Sequence, residues 1–351
     1  MDAEVREAGG RDLITIEDIA AEAGVSATTV SNVIHGRTNK VSAQTVDRIN
    51  EIIRARGYVP NLSARAMKTR STKLVALINH LESRDQQKFM SDPFFMDLTG
   101  AVEKALREQG YFLMVRAISE PEDLMAFLRN WNVEGLFMPG LFASDPFYDT
   151  LKELDLPVVL TDSYLPDLGR MVNIGLEDFE GARLAADYLA KLGHRRIVFA
   201  GPAVKPGGVI EQRLLGYRTA LEANGIPFDP ELVYECEFST SKMMRLGAEL
   251  AARGDISAVF ATADMLAAGI MSGLQQSGRM VPRDISVVGF DDINWARMTM
   301  PMLTTVHQDA EEKGRLAAEC MIRLLEGQSV PIRSSALPVR LVVRDSAAAP
   351  M

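Results

Sequence analysis

Apolar and polar residues alternate at three- and four-residue spacing near the start of the chain, a pattern typical of amphipathic helices. The first apolar stripe consists of Ile16, Ile19, Ala20 and Ala23, and it ends at Gly24. Glycine tolerates the left-handed conformation that closes a helix. The pattern therefore predicts a short helix followed by a tight corner.

A second helix is predicted directly after the corner, with Ser26 as its N-cap. Val30, Val33 and Ile34 bury one side of it. The other side presents small or short polar side chains, namely Ala27, Thr28, Ser31 and Asn32. Such side chains suit the base edges and phosphates of a DNA major groove. Helical corners with glycine also occur in proteins that do not bind DNA, so this stretch alone leaves both interpretations open.

A third helix is predicted from Ser42, its N-cap, to Gly57, because apolar residues continue at helical spacing. Its stripe consists of Val46, Ile49, Ile52 and Ile53. Beyond it, Tyr58-Val-Pro-Asn61 leads into Leu62-Ser-Ala-Arg-Ala-Met-Lys68. A fourth short segment therefore follows three helices.

From Lys73 onward the pattern changes to short apolar runs that alternate with amphipathic stretches, which is typical of parallel sheets covered by helices on both faces. The predicted strands are 74–78, 111–115, 135–138, 158–160, 196–200, 258–261 and 285–290. The predicted helices are 95–110, 179–192 and 214–224. The repetition indicates two successive doubly wound α/β lobes after a small all-α headpiece.

Composition agrees with two kinds of unit, since 351 residues suffice for a headpiece and a large α/β body. The net charge of −9 argues against a nucleic-acid partner until its distribution is considered. Between Arg37 and Lys73 nine Lys or Arg residues stand against Asp47 and Glu51, so this segment carries 9 − 2 = +7. A basic segment on an acidic body can bind phosphates while the body disfavours nonspecific adsorption.

The sequence lacks the motifs that are typical of several classes of protein. The N-terminus has no apolar signal region and no stretch is long enough to span a bilayer, so a cytoplasmic protein with no membrane partner is expected. Cys236 and Cys320 show neither disulfide nor metal spacing. No cofactor, metal or catalytic motif is found, so no enzymatic activity is expected. We expect His194 in a surface turn, and disorder in residues 1–11 and in the Ala-rich tail after Ser346.

The order and spacing of these elements over residues 15–70 resemble the lactose-repressor (LacI/GalR) family of bacterial transcription regulators. Members carry a three-helix DNA-binding headpiece followed by a short hinge helix. The resemblance implies a headpiece at 12–60, a hinge helix at 61–72 and a double-stranded DNA operator as partner. The implied DNA-contacting residues are Thr15, Ser26, Ala27, Thr28, Thr29, Ser31, Asn32, His35, Asn61, Arg65 and Met67.

Three of these positions affect the expected DNA contacts. Ala27 and Thr28 occupy the family positions that carry most of the sequence readout. Asn32 stands where an arginine often recognises guanine, and asparagine favours adenine edges, although a phosphate contact is an alternative. Met67 stands where relatives insert a leucine into the minor groove. It can act as an apolar wedge or pack between two hinge helices.

The body resembles the family's effector domain, itself similar to periplasmic sugar-binding proteins, over residues 73–345. The short sequence segments that carry the resemblance begin at Asp178, Leu192, Val287 and Leu303. It implies an N-lobe of about 73–173 plus 308–331 and a C-lobe of about 174–307 plus 332–345. The chain is expected to cross between lobes near residues 173, 308 and 331.

Ligands of open α/β lobes bind beyond the carboxyl ends of the strands, here in the cleft between the lobes. Asp162, Asp264 and Asp291 each follow a predicted strand. By resemblance Arg213 and Asp291 grip the ligand. Alternatives remain for the other two, since Asp264 could instead cap a helix and Asp162 could instead close the lobes.

Aromatic residues complete the candidate effector site. By resemblance Phe94 and Phe238 lie against the ligand, although lobe packing and core packing respectively are alternatives. Asp92 or Ser91 is expected to cap the helix of Phe94. Trp295 could stack on a sugar or base, or belong to an interface or core.

A sugar or sugar derivative is the expected effector, although Ala263-Asp264 lacks the asparagine that many sugar-binding relatives carry. The charged segment 81–90 lengthens the loop before the first cleft helix. We therefore expect a homodimeric repressor that binds a pseudo-palindromic operator and responds to the effector. The sequence does not distinguish a repressor from an activator. A solute-binding protein or an enzyme on the same lobes is the alternative, but the headpiece would then have no use.

Overall fold

The computed structural model describes residues 14–34, 36–58, 71–80 and 92–351. The chain divides into two compact units, Met1–Thr72 and Lys73–Met351. Most of the predicted hinge helix 61–72 lies outside the described residues, as do His35, Asn61, Arg65, Met67 and segment 81–90. Within the described part of the chain, no helix is long and apolar enough to cross a membrane.

The first unit contains the three predicted helices, α1 (Ile16–Ala23), α2 (Ala27–Ile34) and α3 (Ala43–Arg56). Thr15 caps α1 reciprocally with Asp18, and Ser42 caps α3 as predicted. The three helices bury a shared core that includes Ile19, Val30 and Ile49. The apolar stripes of the sequence therefore form the interior of this unit.

The second unit alternates strands and helices as predicted. Its helices are α4 (Pro93–Glu108), α5 (Pro121–Trp131), α6 (Phe147–Glu153), α7 (Asp178–Lys191), α8 (Val209–Ala223), α9 (Thr240–Ala252), α10 (Asp264–Gln276) and α11 (Ala310–Leu325). Its strands are β1 (Leu74–Asn79), β2 (Phe112–Ala117), β3 (Gly135–Pro139), β4 (Val158–Thr161), β5 (Val172–Leu176), β6 (Ile197–Gly201), β7 (Val233–Glu235), β8 (Ala258–Ala261), β9 (Ser286–Asp291), β10 (Thr304–His307), β11 (Ser334–Leu337) and β12 (Arg340–Val342). Two 3-10 turns lie at Pro230–Leu232 and Asn294–Arg297.

Two six-stranded sheets define the two lobes. The N-lobe sheet has the order β11-β5-β4-β3-β1-β2, and the C-lobe sheet has the order β12-β10-β9-β8-β6-β7. Neighbouring strands run parallel except for β10 and β12, which are antiparallel. Helices pack on both sides of each sheet over separate apolar clusters. The predicted fold class, a small helical headpiece followed along the chain by two doubly wound lobes, is confirmed.

The chain crosses between lobes later than expected at two of three points. Strand β5 extends the N-lobe sheet to Leu176, and β11 pairs with β5 over Ser334–Leu337 before β12 joins the C-lobe. The boundaries expected at 173 and 331 are therefore corrected to positions after Leu176 and after Leu337. Both strands are short, and the sheet that a short strand joins depends on distant residues rather than on its own pattern.

The C-terminal tail was expected to be disordered, but it is packed against the C-lobe. Ser346 is buried and donates to the Val287 carbonyl at 2.6 Å. The Ala348 carbonyl lies 2.9 Å from His194 Nε2, and the His194 ring is buried rather than in a surface turn. Polar partners supplied by the body thus order an Ala-rich segment whose own composition carries no such signal.

Candidate functional site

The candidate effector site lies between the lobes, where the carboxyl ends of the strands meet two of the crossings. A cavity of about 420 Å³ opens there. Its lining includes Phe94 and Asp97 of α4, Asp291 at the end of β9, and His307 and Gln308 at the crossing after β10. Two of the predicted ligand residues, Phe94 and Asp291, therefore line the same cavity, one from each lobe.

Arg213 on α8 is buried and held in one geometry. Its Nε donates to Asp178 Oδ1 at 2.8 Å, and its Nη1 donates to the Thr262 carbonyl. The guanidinium carbon lies 3.6 Å from the centre of the Phe290 ring, an arrangement that favours cation–π attraction. Because Phe290 precedes Asp291, this stacking brings the predicted arginine to the strand end that carries the predicted aspartate.

Asp178, the first residue of α7, connects the two lobes at the crossing after β5. It receives the Arg213 hydrogen bond from the C-lobe, and the Tyr164 hydroxyl from the N-lobe donates to its Oδ2 at 2.6 Å. Burial and the Asp178 carboxylate both raise the pKa of Tyr164, so the phenol stays protonated and remains a donor.

Asp162 belongs to a second set of hydrogen bonds. The Lys313 ammonium lies 2.7 Å from Asp162 Oδ1 and 2.8 Å from Oδ2, and it also donates to Gln308 Oε1 at 2.9 Å. The Gln308 amide then donates from Nε2 to Asp291 Oδ1 at 2.6 Å. Asp162 at the end of β4 is thereby linked to Asp291 at the end of β9.

Carboxylates outnumber cations around the cleft, and burial raises the pKa of several of them. It raises the pKa of Asp291 to about 7, with Asp92 acting in the same direction and Arg213, Gln308 and Lys313 in the opposite one. Burial likewise raises the pKa values of Asp92 and Asp162. Desolvated carboxylates are strong hydrogen-bond acceptors, so the site favours a ligand with hydroxyl or amine donors.

Asp264 is completely buried, and protein groups occupy both of its oxygens. Thr305 donates its hydroxyl to Oδ1, and the Ile293 backbone N–H donates to Oδ2 at 3.0 Å. Asp264 is the first residue of α10, whose N-cap is Ala263, and its two oxygens bond to Thr305 and Ile293 outside that helix. Burial raises its pKa well above the usual range.

The remaining predicted effector residues are more exposed. Phe238 precedes α9 and is 36 % exposed, and Trp295 in the 3-10 turn after β9 is 44 % exposed. Neither residue lines the cavity. Asp92 caps α4, one of the two alternatives predicted, by accepting the Phe94 backbone N–H at 3.1 Å.

The candidate DNA-contacting residues divide into capping and surface groups. Thr15 and Ser26 accept backbone N–H hydrogen bonds at the starts of α1 and α2. Thr28 is exposed on α2, whereas Ala27, Thr29, Ser31 and Asn32 are partly buried. The buried residues of α2 are Val30 and Val33, so the predicted surface of this helix is opposite its core side.

Sequence reasoning missed Lys313 and Gln308 as site residues. Lys313 lies in an otherwise small or apolar stripe of α11 with Ala317 and Met321, all three fully buried. A lysine inside an apolar stripe is unusual, since buried lysines need partners. The lysine within this stripe could therefore have been recognised from the sequence as a buried, partnered residue. For Gln308 the sequence offered no signal except its position at an expected crossing between the lobes.

Comparisons with known proteins match both units. The model of bacterial regulatory proteins of the lacI family matches residues 15–61, and that of the periplasmic binding protein-like domain matches residues 186–347. The HTH-type transcriptional regulator CelR of Thermobifida fusca is 35 % identical over 95 % of this chain and 98 % of its own. The chain belongs to the lacI family.

Solved structures agree with this assignment. A transcriptional regulator CelR–cellobiose complex matches with a TM-score of 0.70 and 31 % identity over 95 % of this chain and 99 % of that one. The lac repressor dimer bound to operator and the anti-inducer ONPF matches with a TM-score of 0.80 and 26 % identity over 96 % and 99 %. The protein is therefore a DNA-binding transcriptional regulator, with a helix-turn-helix headpiece and a periplasmic-binding-protein-like body.

Proposed function

We propose that this regulator is a repressor whose affinity for a pseudo-palindromic operator is set by a sugar bound between its lobes. The observation that carries the proposal is the cleft itself. Arg213 of the C-lobe interacts electrostatically with Asp92 and Asp162 of the N-lobe, and Asp291 of the C-lobe interacts with Asp92. A ligand with several hydroxyl groups can satisfy such a set of acceptors and donors from both lobes at once.

A glucose-type disaccharide is the first candidate for the sugar. The relative with 35 % identity is CelR, and a structure of a CelR protein is described as a cellobiose complex. The cavity of about 420 Å³ falls within the usual range of small-molecule sites.

Dimerisation is proposed from an exposed apolar surface on the C-lobe. The loop from β9 to β10 exposes Trp295, Met298, Met300 and Met302, with Met298 at 78 % and Met300 at 86 % exposure. Monomeric proteins seldom leave such patches uncovered, and methionine is enriched at interfaces. A second copy of the chain is the proposed partner, since the lac repressor structure contains a dimer.

DNA contacts are proposed to come from the exposed side of α2 with Thr28 at its start, from the predicted hinge residues, and from the basic segment. Arg37 and Lys40 lie in the connection between α2 and α3, where they would contact phosphates. Two headpieces on one dimer would bind two symmetry-related half-sites.

The test is selection of bound fragments from the source genome by the purified full-length protein, at stated salt concentration, with and without cellobiose. We expect a recurring palindrome among the enriched fragments and a reduced yield with cellobiose. Sugar-utilisation genes beside the enriched fragments would support the proposal further. If enrichment persists but responds only to a non-sugar metabolite, the sugar effector is wrong; if nothing is enriched under either condition, the operator proposal fails.

A further inference from the structure

Each of two crossings between the lobes carries one polar side chain that bonds to both lobes. At the crossing after β5, Asp178 bonds to Tyr164 of the N-lobe and Arg213 of the C-lobe. At the crossing after β10, Gln308 bonds to Lys313 of the N-lobe and Asp291 of the C-lobe. The second bridge ends on a residue of the proposed effector site.

The chemistry of its neighbours fixes the orientation of the Gln308 amide. The Lys313 ammonium can only donate, so Oε1 must face it, and Nε2 is then directed at the Asp291 carboxylate, which accepts. Gln308 is 4 % exposed, so water cannot stabilise the flipped amide. The amide therefore has one orientation, which engages Asp291 Oδ1 and leaves Oδ2 with no hydrogen bond among the described residues.

Lys313 carries a charge into the interior of the second unit. It is fully buried, and its three N–H groups are matched by the two oxygens of Asp162 and by Gln308 Oε1. Replacing a buried ion pair with well-packed apolar residues often leaves stability unchanged or raises it. The Lys313–Asp162 pair as a whole is therefore weak evidence of a stabilising role, and its link through Gln308 to Asp291 points to a role in the site.

Both ends of this set of hydrogen bonds lie on unusual backbone. Asp162 has φ +51° and Asp291 has φ +115°, in the left-handed region that disfavours residues with a Cβ. Such conformations persist only where the surroundings impose them, and they concentrate at binding sites. The two carboxylates are therefore aimed by their strand ends as well as by their partners.

We propose that Lys313 and Gln308 are positioning residues of the effector site, which hold Asp291 by one oxygen, tie it to Asp162 of the other lobe, and present its free oxygen to the ligand. This inference rests on the proposed function, because the ligand is the proposed effector. It adds Lys313, which does not line the cavity, and gives Gln308, which does, the role of holding Asp291. Movement of either lobe would alter the Gln308 bridge, so the geometry of Asp291 depends on the lobe arrangement.

A ligand-free measurement tests the positioning role. The charged groups that act on Asp291 are Arg213 on α8, Asp92 before α4, Asp264 on α10 and Lys313 on α11, and Asp97, Asp292 and His307 line the same cavity. The thermal midpoint of the full-length protein is compared with that of D291N from about pH 4 to about pH 9. Because the folded Asp291 pKa is raised, the stability of the wild type relative to D291N falls as pH rises from about 4 and levels off near 7.

The same comparison is then made in variants of the bridge. In the Lys313→Met and Gln308→Met backgrounds, we expect the pH at which the stability difference from the matching D291N variant levels off (the levelling point) to rise by about one unit. Each substitution removes an interaction that favours the Asp291 carboxylate. Lys313→Arg keeps the charge, so the stability difference should level off at the same pH as in the wild type. Arg315→Met is the matched control, because it removes an exposed cation from the same helix. An unchanged levelling point in both methionine variants would overturn the inference.

A calorimetric titration with cellobiose adds the ligand readout. We expect Lys313→Met to weaken cellobiose binding by about tenfold and Lys313→Arg and Arg315→Met to leave it within about twofold. Equal affinity in Lys313→Met and wild type would also overturn the inference. If cellobiose binds to no variant, including wild type, the choice of sugar fails while the ligand-free titration still decides the role of Lys313.

Discussion

Single aspartates at the C-lobe strand ends differ in environment although their sequence contexts look alike. Asp264 follows β8 and bonds only to protein groups, whereas Asp291 ends β9 at the cavity. The sequence places both after an apolar strand, and from there both were proposed to contact the effector. Burial distinguishes them, since Asp264 has no exposed surface. A ligand can reach Asp264 only if its present partners give way.

Replacing Asp264 tests whether its contribution is structural. Asp264→Ala leaves the Ile293 N–H and the Thr305 hydroxyl without acceptors, and each buried unsatisfied group costs about 1–3 kcal/mol. Asp264→Asn can accept from Ile293 and donate to Thr305. We therefore expect a marked fall in thermal midpoint for Asp264→Ala and a small change for Asp264→Asn at neutral pH.

The pH dependence of the two variants gives a further check. The raised folded-state pKa of Asp264 means that the wild type loses stability as pH rises above the unfolded value of about 3.9. The stability of Asp264→Asn relative to the wild type should therefore increase as the pH rises. An Asp264→Asn protein that is stable but no longer binds effector would instead indicate direct ligand contact.

At the scale of elements, helix packing in the C-lobe depends on glycines that let backbones approach. An added Cβ at Gly216 of α8 would lie 2.0 Å from the Phe179 carbonyl oxygen of α7. The obstacle is backbone, which cannot rotate away as a side chain can. The α7–α8 contact therefore requires glycine at this position.

Gly216→Ala should consequently destabilise the second unit. Overpacking costs about 1–3 kcal/mol or more, and we expect the thermal midpoint to fall by roughly 2–4 °C for each kcal/mol. Gly254→Ala is the control, because nothing lies within 4 Å of the added Cβ and its φ is not positive. Equal thermal midpoints for the two variants would show that the α7–α8 contact does not require glycine at position 216.

At the scale of the whole molecule, the proposed dimer makes the exposed methionines of the β9–β10 loop part of an interface. Met298→Asp would place a charge in a desolvated contact, so we expect a dimer at least tenfold weaker by sedimentation equilibrium. Met351→Asp is the control, since Met351 is 90 % exposed at the chain terminus. Equal dissociation constants for both variants and wild type would place the interface elsewhere.

Effector and operator affinities should be linked in the same molecule. If the sugar changes operator affinity by some factor, operator DNA must change sugar affinity by the same factor, commonly about 5- to 150-fold in allosteric proteins. Titrating cellobiose with and without operator, and operator with and without cellobiose, measures both factors. Sugar affinity that is identical in the two titrations would contradict coupling.

Local periodicity along the chain was enough to predict the three-helix headpiece and the alternation of strands and helices, and the family resemblance added Arg213 and Asp291 as candidate ligand residues. The sequence did not determine which sheet β5 and β11 join, the packing of the tail against His194, or the bridge from Asp162 through Lys313 and Gln308 to Asp291. Several of these features join residues far apart in the chain, as in the pairing of Ser334 with Asn173, which are 334 − 173 = 161 positions apart. Only the folded lobes bring such groups within hydrogen-bonding distance, so tertiary structure decided them.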